Sequence, residues 1–263
     1  MEISLISIAT NGYTKYWLQM INSMISNKQE STRIRIHILT DDPDFVRLNA
    51  PSHPSVGIII HKIDSEPWPY PTLHRYKYIN SIVDDLDTEY FMYLDADMKA
   101  HPGFDNNLKN LFETHEMNFV AHPGFWRDKQ NLIFTSDFIG LRRHVSDLYR
   151  LLRFGGLGDW ETRRNSTAFV PRKGRKLYIC GGIWFGKVNR LRELVTTLET
   201  NVSTDSEAGL IAKWHDESHL NAWFVKNGGW VLSPEYCFDP TYPQLRHLRP
   251  LIEAVDKGNI ERV

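Results

Sequence analysis

Asp95 and Asp97 close the run YFMYLDADM, residues 90–98, so two carboxylates one residue apart follow a block of apolar and aromatic side chains. Hard carboxylate oxygens at that spacing suit a divalent cation, and a cation held there would turn a site that repels a diphosphate into one that binds it. The plain alternative is a turn or helix cap, which Asp also favours because it accepts from nearby backbone N–H groups. A second cluster, WHDESHLNAWF from Trp214 onward, gathers His215, Asp216, Glu217 and His219 into about two turns of a helix. His215 and His219 stand at i, i+4 as in a zincin, but the intervening Asp-Glu-Ser displaces the glutamate by one position and no obvious third ligand follows. A metal-dependent hydrolase using those histidines is therefore an alternative class. Arg75 is a third candidate. It falls in the first turn of a helix expected over 73–83, where a cation opposes the helix dipole and a phosphate ligand would explain it; a solvated arginine is the plain reading. Finally, Gly181 and Gly182 interrupt the apolar run LYICGGIWF, as glycines do where a strand bulges or something must come close to the backbone.

These residues need a scaffold, and the hydrophobic patterning supplies one. Short β-branched runs at 3–9, 34–39 and 56–60 read as strands, with an amphipathic helix over 13–25 between the first two. Residues 90–94 read as a strand buried on both faces. The PWPYP stretch at 67–71 should exclude helix, with Thr72 as N-cap of the helix that follows. Further helices are expected over 103–115, 189–198 and 206–225, and further strands over 118–125 and 177–185. Strand and helix alternate, which makes an α/β fold with a parallel or mixed sheet. In such a sheet ligands bind outside the carboxyl ends of the strands, where Asp95 and Asp97 stand. Residues 138–153 form a basic amphipathic helix, with Phe138, Leu141, Val145, Leu148, Leu151 and Leu152 on one stripe and Arg142, Arg143, Arg150 and Arg153 elsewhere. Packing on its own domain is the expected use of the stripe, and peripheral membrane or partner contact is the alternative.

The chain has 263 residues and a formal net charge of −1, with 31 basic and 32 acidic side chains. One large domain is expected from that length, and no global field points to nucleic acid. Cys180 and Cys237 are too few for a disulfide framework or a cysteine-rich zinc site and read as buried thiols. No stretch approaches the roughly 20 apolar residues of a membrane span, and the N-terminus lacks the basic region of a signal peptide. The expectation is a cytoplasmic protein.

Taken in order, LDADM, HPGFW, STAFVP, CGGIWFG, WHDESHLN and SPEYCFD resemble the retaining α-1,3 glycosyltransferases that include the blood-group A and B transferases and the α-1,3-galactosyltransferase, glycosyltransferase family 6. The resemblance implies a GT-A type, Rossmann-like mixed sheet with flanking helices in a single domain over 1–263. Its nucleotide-binding half is 1–100, its acceptor and catalytic half 101–263, with an insertion at about 127–158. It implies a UDP-sugar donor, UDP-galactose or UDP-N-acetylgalactosamine, a β-galactoside glycan acceptor, and Mn²⁺ on Asp95 and Asp97. By the same likeness Ala9 and Tyr13 line the uridine site, and Arg75 contacts the donor. Cys180, Gly181 and Gly182 set the choice of sugar, with Gly182 favouring the N-acetylated one. Asp216 holds the sugar, Glu217 is the carboxylate at the anomeric carbon, and His122, Trp214 and Asp239 meet the acceptor. The membrane anchor and stem of mammalian members are missing, which implies a microbial or viral member. The alternative to an enzyme is a carbohydrate-binding protein without turnover.

Overall fold

This computed structural model describes residues 1–127 and 138–255, with residues 138–144 described as helical backbone. A seven-stranded sheet runs through it, its strands lying side by side in the order 56–62, 33–40, 2–9, 90–94, 179–187, 117–121 and 230–232. Four adjacent strands are mutually parallel: β1 (Glu2–Ala9), β2 (Arg33–Thr40), β3 (Val56–Lys62) and β4 (Tyr90–Leu94). β7 (Ile179–Lys187) is antiparallel to both β4 and β6 (Met117–Ala121), and β8 (Trp230–Leu232) is parallel to β6. The α/β fold class read from the sequence is what forms.

The two-residue period of β4 shows how the sheet is buried. Met92 and Leu94 join one core with Trp17, Met20, Ile21 and Met24 of α1 (Thr14–Asn27), Val46 of α2 (Pro43–Asn49), and Leu108, Leu111 and Phe112 of α5 (Leu108–Thr114). Phe91 and Tyr93 join the opposite core with Tyr76 and Ile79 of α4 (Arg75–Asn80), Leu191 to Leu198 of α7 (Val188–Glu207), and Leu220 and Trp223 of α8 (His215–Asn227). Successive strand side chains point to opposite faces, so an uninterrupted apolar strand requires helices on both.

The chain runs from β1 outward to β2 and β3, then returns to place β4 on the other side of β1. The carboxyl ends of β1 and β4 therefore flank the switch point of the sheet, the crevice in which open α/β sheets bind ligands. Leaving β4, the Asp95-Ala96-Asp97 turn enters β5 (Met98–Ala100), which pairs with β9 (Ile252–Ala254) in a separate two-stranded sheet. Val255 N–H donates to the Asp97 carbonyl at 2.8 Å, so the C-terminal segment buttresses this turn.

Several expected elements differ. The helix expected over 189–198 runs on to Glu207 as α7, and of the helix expected over 206–225 only the part from His215 forms, as α8, after a non-helical stretch. Gly209, at φ +69°, ends α7 with its N–H on Ser206 O and the Leu210 N–H on Asp205 O, a left-handed glycine stop. WHDESH consequently begins a helix rather than lying in the middle of one. The helix expected over 73–83 starts earlier and breaks: α3 (Tyr70–Leu73) contains Pro71 and Thr72, and α4 follows it. Proline is tolerated in a first turn, whose N–H groups have no intrahelical partner, and Thr72 Oγ1 donates to Pro69 O instead of capping. The helix expected from 103 begins at Leu108, after a turn with Gly103 at φ +90°.

The apolar stripe of α6 (Phe138–Phe154), expected to pack against the domain, faces outward over its described part. The inner side is ion-paired, with Arg127 on Asp147 and Arg150 on Asp159. The expectations for Phe138, Leu141, Arg142 and Arg143 concern side chains outside the described residues.

Candidate active site

Arg75 joins three parts of the chain. Its guanidinium, buried at the start of α4, donates to Asp95 Oδ1 at 3.0 Å and to Gly181 O at 2.8 Å, and forms an ion pair with Asp216 Oδ2 at 2.7 Å. Its carbon lies 4.8 Å from the centre of the Tyr93 ring. The solvated reading of this arginine is excluded by its 6% exposure. Burial alone would lower its pKa, but Asp216 and Asp95 outweigh that and hold it well above the ordinary value.

Around it stand three carboxylates. Asp95, at the end of β4, also accepts from the Tyr93 hydroxyl at 2.7 Å through Oδ1, which leaves Oδ2 without a hydrogen-bond partner among the described residues. Asp216 and Glu217 occupy the first turn of α8, where the helix dipole favours negative charge. Glu217 Oε2 accepts the Gly181 N–H at 2.8 Å, and the Asp216 carbonyl accepts from the Tyr76 hydroxyl at 2.9 Å. Burial pushes Asp216 up to about 7 against the pull of Arg75. Burial also pushes Glu217 up to about 7, against the Gly181 N–H and Arg75. Asp97 is buried just beyond the turn. One guanidinium thus faces three carboxylates with a fourth alongside, a site that burial penalises until more positive charge arrives.

The glycine pair on β7 is needed by this packing. A Cβ on Gly181 would come within 3.3 Å of Glu217 Cβ and 3.4 Å of Arg75 Nη1. A Cβ on Gly182 would lie 2.8 Å from Met98 Cε and 2.9 Å from Asp95 Oδ2. The close approach inferred from the glycines is real, but what approaches is the chain's own Glu217, Arg75 and Asp95 side chains. Opposite them the β6–β7 register shifts between Phe119 and Ala121, the expected irregularity. Cys180 is buried beside them, and Cys237 is likewise a buried free thiol.

The loop after β1 forms the wall at the switch point. Ala9 is buried and Tyr13 half-buried. Asn11, at φ +54°, donates its N–H to Asp41 Oδ2 and its side-chain amide to Glu66 O, which ties this loop to those after β2 and β3.

The opposite wall carries Trp214, His122 and Asp239. Trp214, 47% exposed, donates its indole N–H to Asp159 Oδ2 at 3.2 Å. His215 next to it sits at φ +44°, a left-handed backbone that non-glycine residues seldom adopt, and its ring meets Trp68 edge-on. His122 accepts the Gly124 N–H on Nδ1 at 3.1 Å, and burial lowers its pKa to about 4. It is therefore neutral with its proton on Nε2, a donor fixed in direction. Asp239 accepts from Thr241 through Oδ1, and burial, aided by Asp239, raises the pKa of neighbouring Tyr242. A groove of about 440 Å³ opens beside His215, lined by Glu161, Arg163, Ile211 and Lys213.

His215 and His219 do not converge on a metal. His219 is buried against Thr167 and Asp205, and no group of three or more His, Cys, Asp or Glu able to hold a metal exists among the described residues. Two residues escaped sequence reasoning. Tyr93 was visible as the residue two before Asp95, on the same face of the strand. Tyr178, whose buried hydroxyl lies toward Glu217, had no signal beyond its place before Ile179.

Fold and site together define a GT-A type α/β protein, with a carboxylate pair at the sheet's switch point. Residues 158–263 match Glycosyltransferase family 6, and the chain is related to that family, as its motifs implied. It is 40% identical over 86 residues to the human globoside alpha-1,3-N-acetylgalactosaminyltransferase 1, covering 32% of this chain and 25% of that protein. With the human alpha-1,3-galactosyltransferase 2 it shares 37% identity over 101 residues, 38% of this chain and 30% of the relative. The Escherichia coli O-antigen biosynthesis glycosyltransferase WbnI is 22% identical over 271 residues, spanning the full length of both. The chain spans only 25% and 29% of the human and dog globoside transferases it matches. Among the described residues no helix is long and apolar enough to cross a membrane.

Proposed function

We propose that this chain is a retaining glycosyltransferase that moves N-acetylgalactosamine or galactose from a UDP-sugar, in α-1,3 linkage, to a β-galactoside acceptor. The observation that carries the reading is the Arg75 bridge, which brings the D-x-D strand, the Gly181 backbone and the Asp216-Glu217 helix start to one point. A binding module without turnover has no use for that concentration of buried charge. The relatives' names, α-1,3 transfer of N-acetylgalactosamine in one and of galactose in another, support the linkage and both donors.

The donor set fits a hard divalent cation such as Mn²⁺. Asp95 Oδ2 is not committed to Arg75, the local charge is in carboxylate excess, and two protein carboxylates suit a cation that completes its shell with phosphate and water. Asp95 and Asp97 would hold it, and it would supply neutralisation of charge on the leaving diphosphate. Arg75 fixes the Asp95 rotamer and adds positive charge on the same side. Asp216, anchored by Arg75, holds the sugar. Glu217, anchored by the Gly181 N–H, presents a carboxylate to the anomeric carbon, either bonding to it or stabilising its positive charge while the acceptor attacks from the leaving-group side. His122 donates from Nε2 to the acceptor, Trp214 stacks on it, and Asp239 accepts from it. Ala9 and Tyr13 border the uridine. A cytoplasmic setting accompanies this reading.

The test is product structure. The protein is incubated with UDP-N-acetylgalactosamine or UDP-galactose, Mn²⁺, and a panel of β-galactosides with and without fucose, and the product is analysed by NMR. An α-1,3-linked sugar is expected. Binding of the panel without any transfer would leave the carbohydrate-binding alternative in its place.

A further inference from the structure

The outer face of α6 is built opposite to that of an ordinary surface helix. Asp147 and Arg150 turn inward onto Arg127 and Asp159, and the Arg150 guanidinium lies 5.1 Å from the centre of the Phe125 ring. Outward stand Val145, Leu148, Tyr149, Leu151 and Leu152, with Leu148 57% and Leu152 67% exposed. Amphipathic helices of water-soluble domains turn this stripe to the core and their charges to solvent. Here five large apolar side chains share the solvent side of less than three turns.

The rim of this face is basic. Arg172 donates to the carbonyls of Leu151 and Leu152, which places the 172–176 segment at the C-terminal end of the helix. Arg153, Lys173 and Lys176 are exposed there, and no carboxylate pairs with them among the described residues. From Thr162 to Arg192 the sequence contains no Asp or Glu, and none lies between Asp147 and Asp159. A chain near overall neutrality thus has a local cationic surface around this exposed apolar stripe.

We propose that this face of α6 docks the protein on an anionic lipid bilayer, with the leucines in the interface and Arg153, Arg172, Lys173 and Lys176 over the headgroups. Apolar burial and attraction to anionic lipid act together at such a surface. A second copy of the chain fits less well. A two-fold contact sets like patch against like, so the cationic rims would face each other with no carboxylate paired to them among the described residues. The helix also connects to the cleft, because Asp159, which pairs with Arg150, accepts the indole N–H of Trp214. If Trp214 meets the acceptor, as proposed above, docking places the acceptor wall next to the docked helix. The docking itself does not rest on that role.

The test is co-sedimentation of the full chain with phosphatidylcholine vesicles, with and without phosphatidylglycerol, at low and high salt. Wild type is expected to sediment with the phosphatidylglycerol vesicles and to be released by salt. Each basic residue contributes about fivefold to partitioning, so Lys173→Glu with Lys176→Glu should lower it by at least about 25-fold. Leu148→Glu with Leu152→Glu should abolish it. Both variants change exposed side chains, so unchanged thermal unfolding should show that the fold is intact. Binding that is equal in wild type and both variants, or absent from every vesicle, overturns the proposal. So does a concentration-dependent dimer of wild type that Leu148→Glu disperses, without vesicle binding, since a second copy would then be the occupant.

Discussion

Replacing Glu217 by Gln should change how stability depends on pH, and the direction follows from its surroundings. Burial raises the Glu217 carboxyl to about 7 from its ordinary value of 4.5. The native protein therefore holds a proton on it, between those two values, that the unfolded chain releases. A group with a raised native pKa contributes stability that is fully present below its unfolded pKa and is lost as pH rises through the native one. A tenfold change in proton affinity corresponds to about 1.4 kcal/mol, which gives roughly 3 kcal/mol for the full difference and about 2 kcal/mol after allowance for the partial exposure of the side chain. The Gln amide oxygen can still accept the Gly181 N–H, so the contact survives while the titration does not. Urea unfolding of the metal-free protein at intervals from pH 5 to pH 8 should find the two proteins similar at the acid end. Wild type should be weaker by about 2 kcal/mol at the alkaline end. Asp216, raised to about 7, gives both proteins a further slope of the same sign, reduced in the variant because Glu217 no longer repels it. A difference that does not change across this range would mean that Glu217 titrates as an ordinary carboxylate, and the burial argument would be wrong.

Other substitutions probe other parts of the site. Arg75→Lys keeps the charge but cannot reach Asp95, Gly181 O and Asp216 together; it should destabilise the fold by about 2–4 kcal/mol and lower kcat at least tenfold, whereas wild-type unfolding and turnover would make the bridge incidental. In Gly182→Ala the added methyl meets Asp95 Oδ2 and Met98 Cε. It should shift the kcat/KM ratio toward UDP-galactose by tenfold or so and raise the Mn²⁺ concentration for half-maximal rate; a donor shift with unchanged Mn²⁺ response would separate the sugar pocket from Asp95. Trp214→Ala should raise KM for the acceptor about tenfold with little effect on donor KM, and a change confined to the donor would place Trp214 on the wrong wall.

The central strand and its carboxylates were legible because a buried parallel strand leaves a plain mark: an uninterrupted apolar run ending on polar residues. β1 and β3 showed as short β-branched runs, and β2 as Ile34, Ile36 and Ile38 alternating with Arg35 and His37. The meeting of Arg75 with Asp95 and Asp216 was not. It joins residues 20 and 141 positions apart, and no local pattern encodes which helix start will face which strand end. What showed was the oddity of an arginine in a first turn, a local cost in want of a tertiary cause. The late start of the helix expected over 206–225 turned on Gly209. Within a helical pattern a glycine is tolerated, and its left-handed φ became decisive only with Leu210 and Asp205 in place. Outward leucines on α6 were missed because periodicity gives the existence of a stripe and not the side it faces. The glycine pair does mark a place of close approach, though the sequence could not say that Glu217 and Asp95 were the groups approaching.

The most direct test of the charge arrangement is UDP release from UDP-N-acetylgalactosamine, with a β-galactoside present, by wild type and by Asp97→Asn, each with Mn²⁺ and with chelator. Asp97→Asn removes one of the two carboxylates proposed to hold the cation and changes little else in shape. Turnover stimulated by Mn²⁺ in wild type, and lost both in chelator and in Asp97→Asn, is the predicted result. Full turnover in chelator, with Asp97→Asn equal to wild type, would contradict it.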